Sequence, residues 1–405
     1  MAELLHVARE PRERDRVILP KTALAAIAAC FLLMGAEAAA YGPLLEQLAR
    51  RFSISLPVAS EVFSAHFAGA LVGVFALMWG TEHVTGRISI WVSLGCLGVG
   101  FAGVALAFSW ATFLIAVLVV GLGFGGLDIG LNLLVAQSEG RGRTALLNAL
   151  NGAYGLGAVA GPILISSLGR QHFATVYTGG AVLAAILVPA VAGISGRLPF
   201  KSRDSVPPTS GGTRGQSRRG GLLVAVFVVA FVFYVGVETG VGGWMASHLE
   251  SVGIRSADAA SLTSGFWLAF AAGRLLAALI PDRAPPAAVV LTGSAIASVA
   301  LLVALNARAA PIAYIVTGLA IAPIFPTSVV WLTRLRPGDS RSTSWLFPAA
   351  MIGGGVIPPS VGFAVSWLGI GWTPAVLSAV AIVTLAMFSL ASLDGREYRP
   401  PKAAS

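Results

Sequence analysis

The sequence predicts an all-α membrane protein: twelve transmembrane helices in two pseudo-symmetric six-helix bundles. Three observations carry this. The 405-residue chain is 56% hydrophobic and 11% charged, less than half the ~25% charged content of soluble domains. Twelve apolar runs each reach the roughly 20 residues that a helix needs to cross a bilayer core. When those runs are threaded alternately, 22 of the 27 lysines and arginines fall on one side and five on the other.

The runs lie at about 21–48, 57–79, 88–108, 112–136, 145–168, 174–194, 221–249, 258–280, 287–305, 310–333, 343–368 and 372–392. Between the sixth and seventh, residues 195–220 are polar, basic and rich in Pro, Gly and Ser, the composition of a flexible linker. It divides the chain into an N-terminal bundle, 1–194, and a C-terminal bundle, 221–405. The basic excess puts both termini and the linker in the cytoplasm and the helices in the plasma membrane. The net charge of +9 follows from that topology, so no nucleic-acid partner is implied. The lipid bilayer is the expected environment and a monomer the expected state. The N-terminal stretch mixes charges of both signs and lacks a leading apolar core, unlike a cleavable signal peptide. Cys30 and Cys96 both sit in apolar runs, which argues against a disulfide or a metal site.

In the first run Glu37 lies near the middle, with Tyr41 one turn on. The second run carries Glu61 near its outer end, where water can reach it, and His66. That histidine can join a proton path or bond a carbonyl, and the carbonyl is the expectation. In the fourth run Gly121, Gly125, Asp128 and Asn132 recur at i, i+4, i+7 and i+11, which is one helix face. A carboxylate facing lipid costs roughly 2.5–3.5 kcal/mol, so this face should look inward. Asp128 lies about 6 Å to the cytoplasmic side of its run's midpoint. The fifth run opens with Asn148 and Asn151 on a narrow face, followed by Tyr154, Gly155 and Pro162. In the seventh, Gly236-Val237-Glu238 repeats the pattern Gly35-Ala36-Glu37, with Tyr234 one turn before the acid. The eleventh run, at 353–369, echoes 155–169. Such internal likeness is what a duplicated transporter leaves. The tenth run holds Pro323 and Pro326, which remove backbone donors and predict a kink.

Glu37, Asp128 and Glu238 are the acids placed well inside the runs. No lysine or arginine shares their depth in this reading, and Arg274 counts with the cytoplasmic positions. A carboxylate without a counter-charge can take up and release a proton as water access changes, the chemistry of proton coupling. The alternative is that Glu37 and Glu238 stay protonated and tie helices together. Asn132, Asn148 and Asn151 can each donate and accept, which suits a hydroxylated solute, and Tyr41, Tyr154, Tyr234 and Phe325 offer faces to a sugar ring. The same amides can serve helix–helix hydrogen bonds, and the same rings a packed core. The remaining histidines lack metal-ligand spacing, and no phosphate-binding glycine loop ending in Lys-Ser/Thr occurs, so neither a metal nor any other cofactor is expected.

Twelve helices, a basic central loop and two like halves resemble the major facilitator superfamily. The loop WGTEHVTGRIS looks like a degenerate form of that superfamily's Gly-x-Leu-x-Asp-Arg-x-Gly-Arg signature, with Gly86 and Arg87 at its end and His83 where the Asp belongs. GLGFGGLDIGLN, LLNALNGAYGLGAVAGP, FYVGVETGVGGWM, AFAAGRLL and GLAIAPIFPT resemble the fucose permease branch of sugar:proton symporters. The resemblance implies alternating access. It gives acids in helices 1 and 4, here Glu37 and Asp128, roles in sugar binding and proton coupling, makes the Asn148 and Asn151 face substrate-contacting, and makes Gly86 and Arg87 part of a gating loop. Gly157 to Pro162 also resembles part of the antiporter signature, so proton-driven efflux of drugs or metabolites is the alternative. That signature's last glycines and the helix-4 arginine of drug antiporters are missing. A membrane sensor on a transporter fold is a third reading. An enzyme is not expected, since no nucleophile–base set is present.

Overall fold

The computed structural model describes residues 20–80, 86–137, 143–191, 214–277, 284–336 and 339–396. The helices are α1 Lys21–Phe52, α2 Leu56–Ala59, α3 Glu61–Gly80, α4 Gly86–Leu106, α5 Trp110–Gln137, α6 Arg143–Leu164 and α7 Arg170–Ala190. They continue with α8 Arg214–Ser251, α9 Ser256–Ala277, α10 Pro286–Val303, α11 Ala310–Ile321, α12 Ile324–Leu335, α13 Ser340–Ser344, α14 Leu346–Leu368 and α15 Thr373–Arg396. Among the described residues, eleven spans are long and apolar enough to cross a membrane. α9 supplies the twelfth crossing. It has 22 residues but is less apolar, because Asp258, Thr263, Ser264 and Arg274 interrupt it.

Two spans are jointed. α11 stops at Ile321 and α12 starts at Ile324, with Pro323 as its N-cap. Pro326 falls in the first turn of α12, where its missing N–H leaves no bond unmade. This is the kink expected from the two prolines. In the fifth span, Pro162 lies inside α6, and a π-helical stretch follows at Ile165–Gly169.

Parallel helices approach at glycines. A Cβ at Gly157 of α6 would collide with the carbonyl of Leu32 in α1, and one at Gly35 with the carbonyl of Tyr154. The C-terminal counterparts repeat this: Gly353 of α14 abuts the carbonyl of Val232 in α8, and Gly236 abuts Ile357. α3 and α5 pack the same way, with Gly69 against Leu118, Gly73 against Leu122, and Gly121 and Gly125 against His66 and Ala70. Small residues let backbones come this close, and in lipid that packing replaces the hydrophobic drive as the source of association.

The first six spans meet the last six mainly away from the α7–α8 connection. Gly42 lies on Gly242, Phe63 on Gly243, Phe67 on Gly354, and Pro57 and Ser60 on Gly362. Ser64 Oγ donates to the Gly355 carbonyl at 2.7 Å. At mid-depth Gly155 of α6 faces Ala271 of α9. Below that point, toward the α7–α8 connection, Asp128, Asn132 and Asn151 of the first half and Glu238 and Arg274 of the second come within electrostatic reach of one another.

At that same side, Asp339 caps α13. Its carboxylate accepts from Ser342 N at 3.2 Å and Oγ at 2.6 Å, and from Arg336 Nε at 3.1 Å and Nη2 at 2.7 Å. Partial burial opposes ionisation, but the bonds from Ser342 and Arg336 outweigh it and hold the carboxyl below its usual range. The stabilisation is therefore complete above the ordinary carboxylate range and is lost as pH falls through the lowered value. Amide exchange at Ser342 should accelerate on acidification in the wild type and be fast and far less pH-sensitive in Asp339→Ala, beyond the intrinsic pH dependence of exchange.

The glycine contacts predict a paired result. Gly157→Ala should destabilise the protein by about 2 kcal/mol through overpacking against α1. Gly179→Ala in α7, where a Cβ meets nothing within 4 Å, should leave stability unchanged or slightly raised. Thermal unfolding in detergent checks both.

Candidate functional site

Polar groups from four helices gather between the two halves. α5 places Asp128 and Asn132 one turn apart, and Asn132 Nδ2 donates to the Asp128 carbonyl at 2.8 Å and to Asp128 Oδ1 at 3.2 Å. Asn151 of α6 continues the line, its Nδ2 lying 3.4 Å from Asn132 Oδ1. Asp128 and Asn132 are half-buried and Asn151 is exposed, so water reaches this line in part. The face drawn from the sequence therefore exists, and it does two things. Its glycines lock α5 to α3, and its acid and amide project past that contact.

The opposite wall comes from α8 and α9. Tyr234 OH donates to Glu238 Oε2 at 3.0 Å. Arg274 of α9 stacks its guanidinium on the Phe270 ring at 4.4 Å and hydrogen-bonds Tyr234. Its charge acts on both Asp128 and Glu238. This corrects the expectation that no cation shares the depth of the acids. The sequence counts Arg274 as a terminal basic residue of its helix, but α9 packs against α6 and aims the side chain between the halves. Tyr154 lies where the walls meet, within electrostatic reach of Asp128, Glu238, Arg274 and Glu37. Together these residues supply carboxylate and amide acceptors, amide and guanidinium donors, and aromatic faces.

Glu37 belongs to a second, closed cluster. It is 5% exposed, and its Oε1 accepts from Tyr41 OH. The same oxygen lies 3.1 Å from His66 Nδ1, and Tyr41 OH lies 3.4 Å from that nitrogen. His66 thus pairs with a carboxylate rather than a carbonyl, because α3 packs against α1 and α5 at its level. Rings of Phe67 at 5.1 Å and Phe124 at 4.8 Å enclose the imidazole. Phe124 stands one turn before Asp128, between the closed cluster and the open one.

Other expected residues find different places. Tyr41 and Tyr234 are each 1% exposed, with hydroxyls turned to Glu37 and Glu238. They hold the acids rather than face a solute. Phe325, in the first turn of α12, is half-buried against Phe231, Phe347 and Tyr234, with centroids 5.1, 6.0 and 6.5 Å apart. Asn148 lies in α6, and its side chain is outside the described residues, as are residues 81–85 of the loop before Gly86. Gly86 opens α4, and the exposed Arg87 stacks on Trp91 at 5.2 Å. Glu61 is exposed and 3.3 Å from Trp110 Nε1.

Spanning helices with charged groups gathered between two halves are the build of a membrane transporter. The chain belongs to the Major Facilitator Superfamily, whose sequence profile matches residues 27–307. It is 24% identical over 382 residues to the Danio rerio protein named Sodium-dependent glucose transporter 1, covering 84% of this chain and 63% of that protein. The chain therefore spans less than two thirds of that relative's length. In fold it is similar to a bacterial homolog of the human lysosomal transporter Spinster in an inward-facing, unoccupied conformation, with TM-score 0.74, 16% identity, and 94% and 98% of the two chains covered. It is also similar to the E. coli fucose:proton symporter, with TM-score 0.62, 17% identity, and 91% and 98% covered.

Arg274→Met removes the cation shared by two acids and should destabilise the protein by about 3 kcal/mol, since it strands charges in a partly dry site. Adding Glu238→Gln should recover part of that loss. Unfolding of the single and double variants in detergent measures the coupling.

Proposed function

We propose that the chain imports a sugar or similar small polar solute with protons, by alternating access between residues 1–194 and 221–405. The linker 195–220 and both termini lie in the plasma membrane's cytoplasmic side, and the chain acts as a monomer. One observation carries this reading: the Asp128–Asn132–Asn151 line of one half and Glu238 of the other share the charge of Arg274, and the space between these two walls is taken as the solute's opening. A solute with several hydroxyls can bond both walls at once, and amides and acids together match its donors and acceptors. Asn148, one turn before Asn151 in α6, is the further amide assigned to the solute in this reading, and Tyr154 and Phe325 supply ring faces. The similarity to proteins named for glucose and fucose transport supports this solute class.

Asp128 is the residue placed to exchange a proton with the opening while sensing the solute. Glu37 holds a proton behind the closed end, and Glu238 answers to Arg274. Gly86 and Arg87 end the gating loop and begin α4. With the basic residues gathered at the open end, that end is cytoplasmic, so solute and proton leave together from the state described.

The test is uptake into proteoliposomes, screened over sugars and polyols, with separate arms driven by a proton gradient and by a sodium gradient. Proton-driven accumulation is expected for at least one sugar or polyol. Asp128→Asn should abolish accumulation yet retain solute exchange, and Asn151→Ala should weaken affinity about fivefold, the worth of one hydrogen bond. Accumulation driven by sodium alone, or unaltered accumulation in Asp128→Asn and Glu37→Gln together, would overturn the reading.

A further inference from the structure

The closed cluster holds more polar capacity than its contacts use. Glu37 Oε2, His66 Nε2 and Tyr177 OH are buried and unpartnered. His66 is 1% exposed and Glu37 5%, and their facing atoms are 3.1 Å apart. Among the described residues no lysine or arginine pairs with Glu37. The titratable groups around the pair are Tyr41 from α1, Tyr177 from α7 and Tyr154 from α6. Beyond Tyr154 come Asp128, Arg274 and Glu238. α5 presents Phe124, and α14 presents glycine.

Glu37 Oε1 and His66 Nδ1 face each other at 3.1 Å, so a single proton can bridge them. Losing that proton leaves a bare carboxylate, and gaining another leaves an imidazolium beside a carboxylic acid. Either change needs water. Water from the far end is kept out by the residues on either side of His66 in α3. Phe63 seats its Cζ within 2.8 Å of where a Cβ on Gly243 would stand, and Phe67 its ring 2.5 Å from the same point on Gly354. Both glycines belong to the other half, so these rings can sit only while the halves are closed at that end.

We propose that His66 shares the transported proton with Glu37, and that Phe63 and Phe67, seated on Gly243 and Gly354, are the gate between that pair and the far side of the membrane. The proposal rests on the proton-coupled reading above. Both rings and His66 share α3, so parting the halves withdraws the rings from their seats and admits water to the pair in one movement. Closing them again traps whatever proton the pair has taken. The proton then leaves past Tyr154 toward Asp128 and the opening.

Two measurements test this, and neither needs a solute, so their failure is separable from failure of the transport assay. The first is infrared difference spectroscopy of the protein in nanodiscs between mildly acidic and mildly alkaline buffer. The carboxylic band lost in Glu37→Gln should shift in His66→Gln and in His66→Asn, which keep a hydrogen bond but cannot carry the proton. The wild type should also show an imidazole band that both His66 variants lack. A Glu37 band unmoved in both variants, in protein that elutes as the wild type does, would overturn the pairing. The second uses His66→Cys in a background with Cys30 and Cys96 replaced by Ser, exposed to an impermeant thiol reagent from the far side. Gly354→Ala and Gly354→Val, which deny Phe67 its seat, should each speed labelling by about tenfold, a shift of ~1.4 kcal/mol in the closed population. Equal labelling rates with and without those substitutions would overturn the gate.

Discussion

The backbone-to-backbone approach of parallel helices at glycine is the constraint on which the rest of this protein depends. Without Gly35 and Gly157, α1 and α6 would stand farther apart, and Glu37 would no longer lie behind Tyr154. Without Gly121 and Gly125, α5 would lift from α3, separating Phe124 from His66. A hydrocarbon solvent gives little reason for apolar helices to associate, so close packing at these seams carries much of the cohesion. The polar groups of the core take their distances from it. The same seams recur between α8 and α14, which is why the two halves share a geometry although their side chains differ.

Much of the fold was legible because membrane insertion leaves coarse marks. Spans are long, apolar and bounded by charge, and the proline break between α11 and α12 follows from backbone chemistry alone. Asp128 and Asn132 were readable for a related reason: helical spacing fixes which residues share a face. What could not be read is pairing between helices. Arg274 sits near the end of an apolar run; its stacking on Phe270 is an i, i+4 contact that spacing allows, but nothing in the run says that its charge comes within reach of Asp128. His66 looks like an isolated polar residue until α3 is laid beside α1. Tyr41 and Tyr234 have the composition of ligand-facing aromatics, yet the acid one turn away captures each hydroxyl.

The two polar clusters divide the work between burial and access. The open one brings two acids under the influence of one cation, the guanidinium of Arg274, with Asn132 and Tyr234 bonded to their carboxyls. The closed one is dry and encloses its acid with a phenol and an imidazole, groups that can bond a carboxyl in either protonation state. Phe124 and Tyr154 stand at the boundary. A protein with its acids distributed the other way would bury repulsion and expose neutral pairs, at a greater cost in desolvation.

The order of two residues breaks the likeness between the halves. Tyr41 follows Glu37 by one turn, whereas Tyr234 precedes Glu238 by one turn. α1 and α8 run in the same direction, so the phenol lies on the far side of one acid and on the near side of the other. Each carboxyl is thus shuttered from a different compartment. Exchanging the postures of the two halves does not reproduce the same chemistry facing the opposite way. The two halves repeat one backbone arrangement and differ in where each acid finds its phenol.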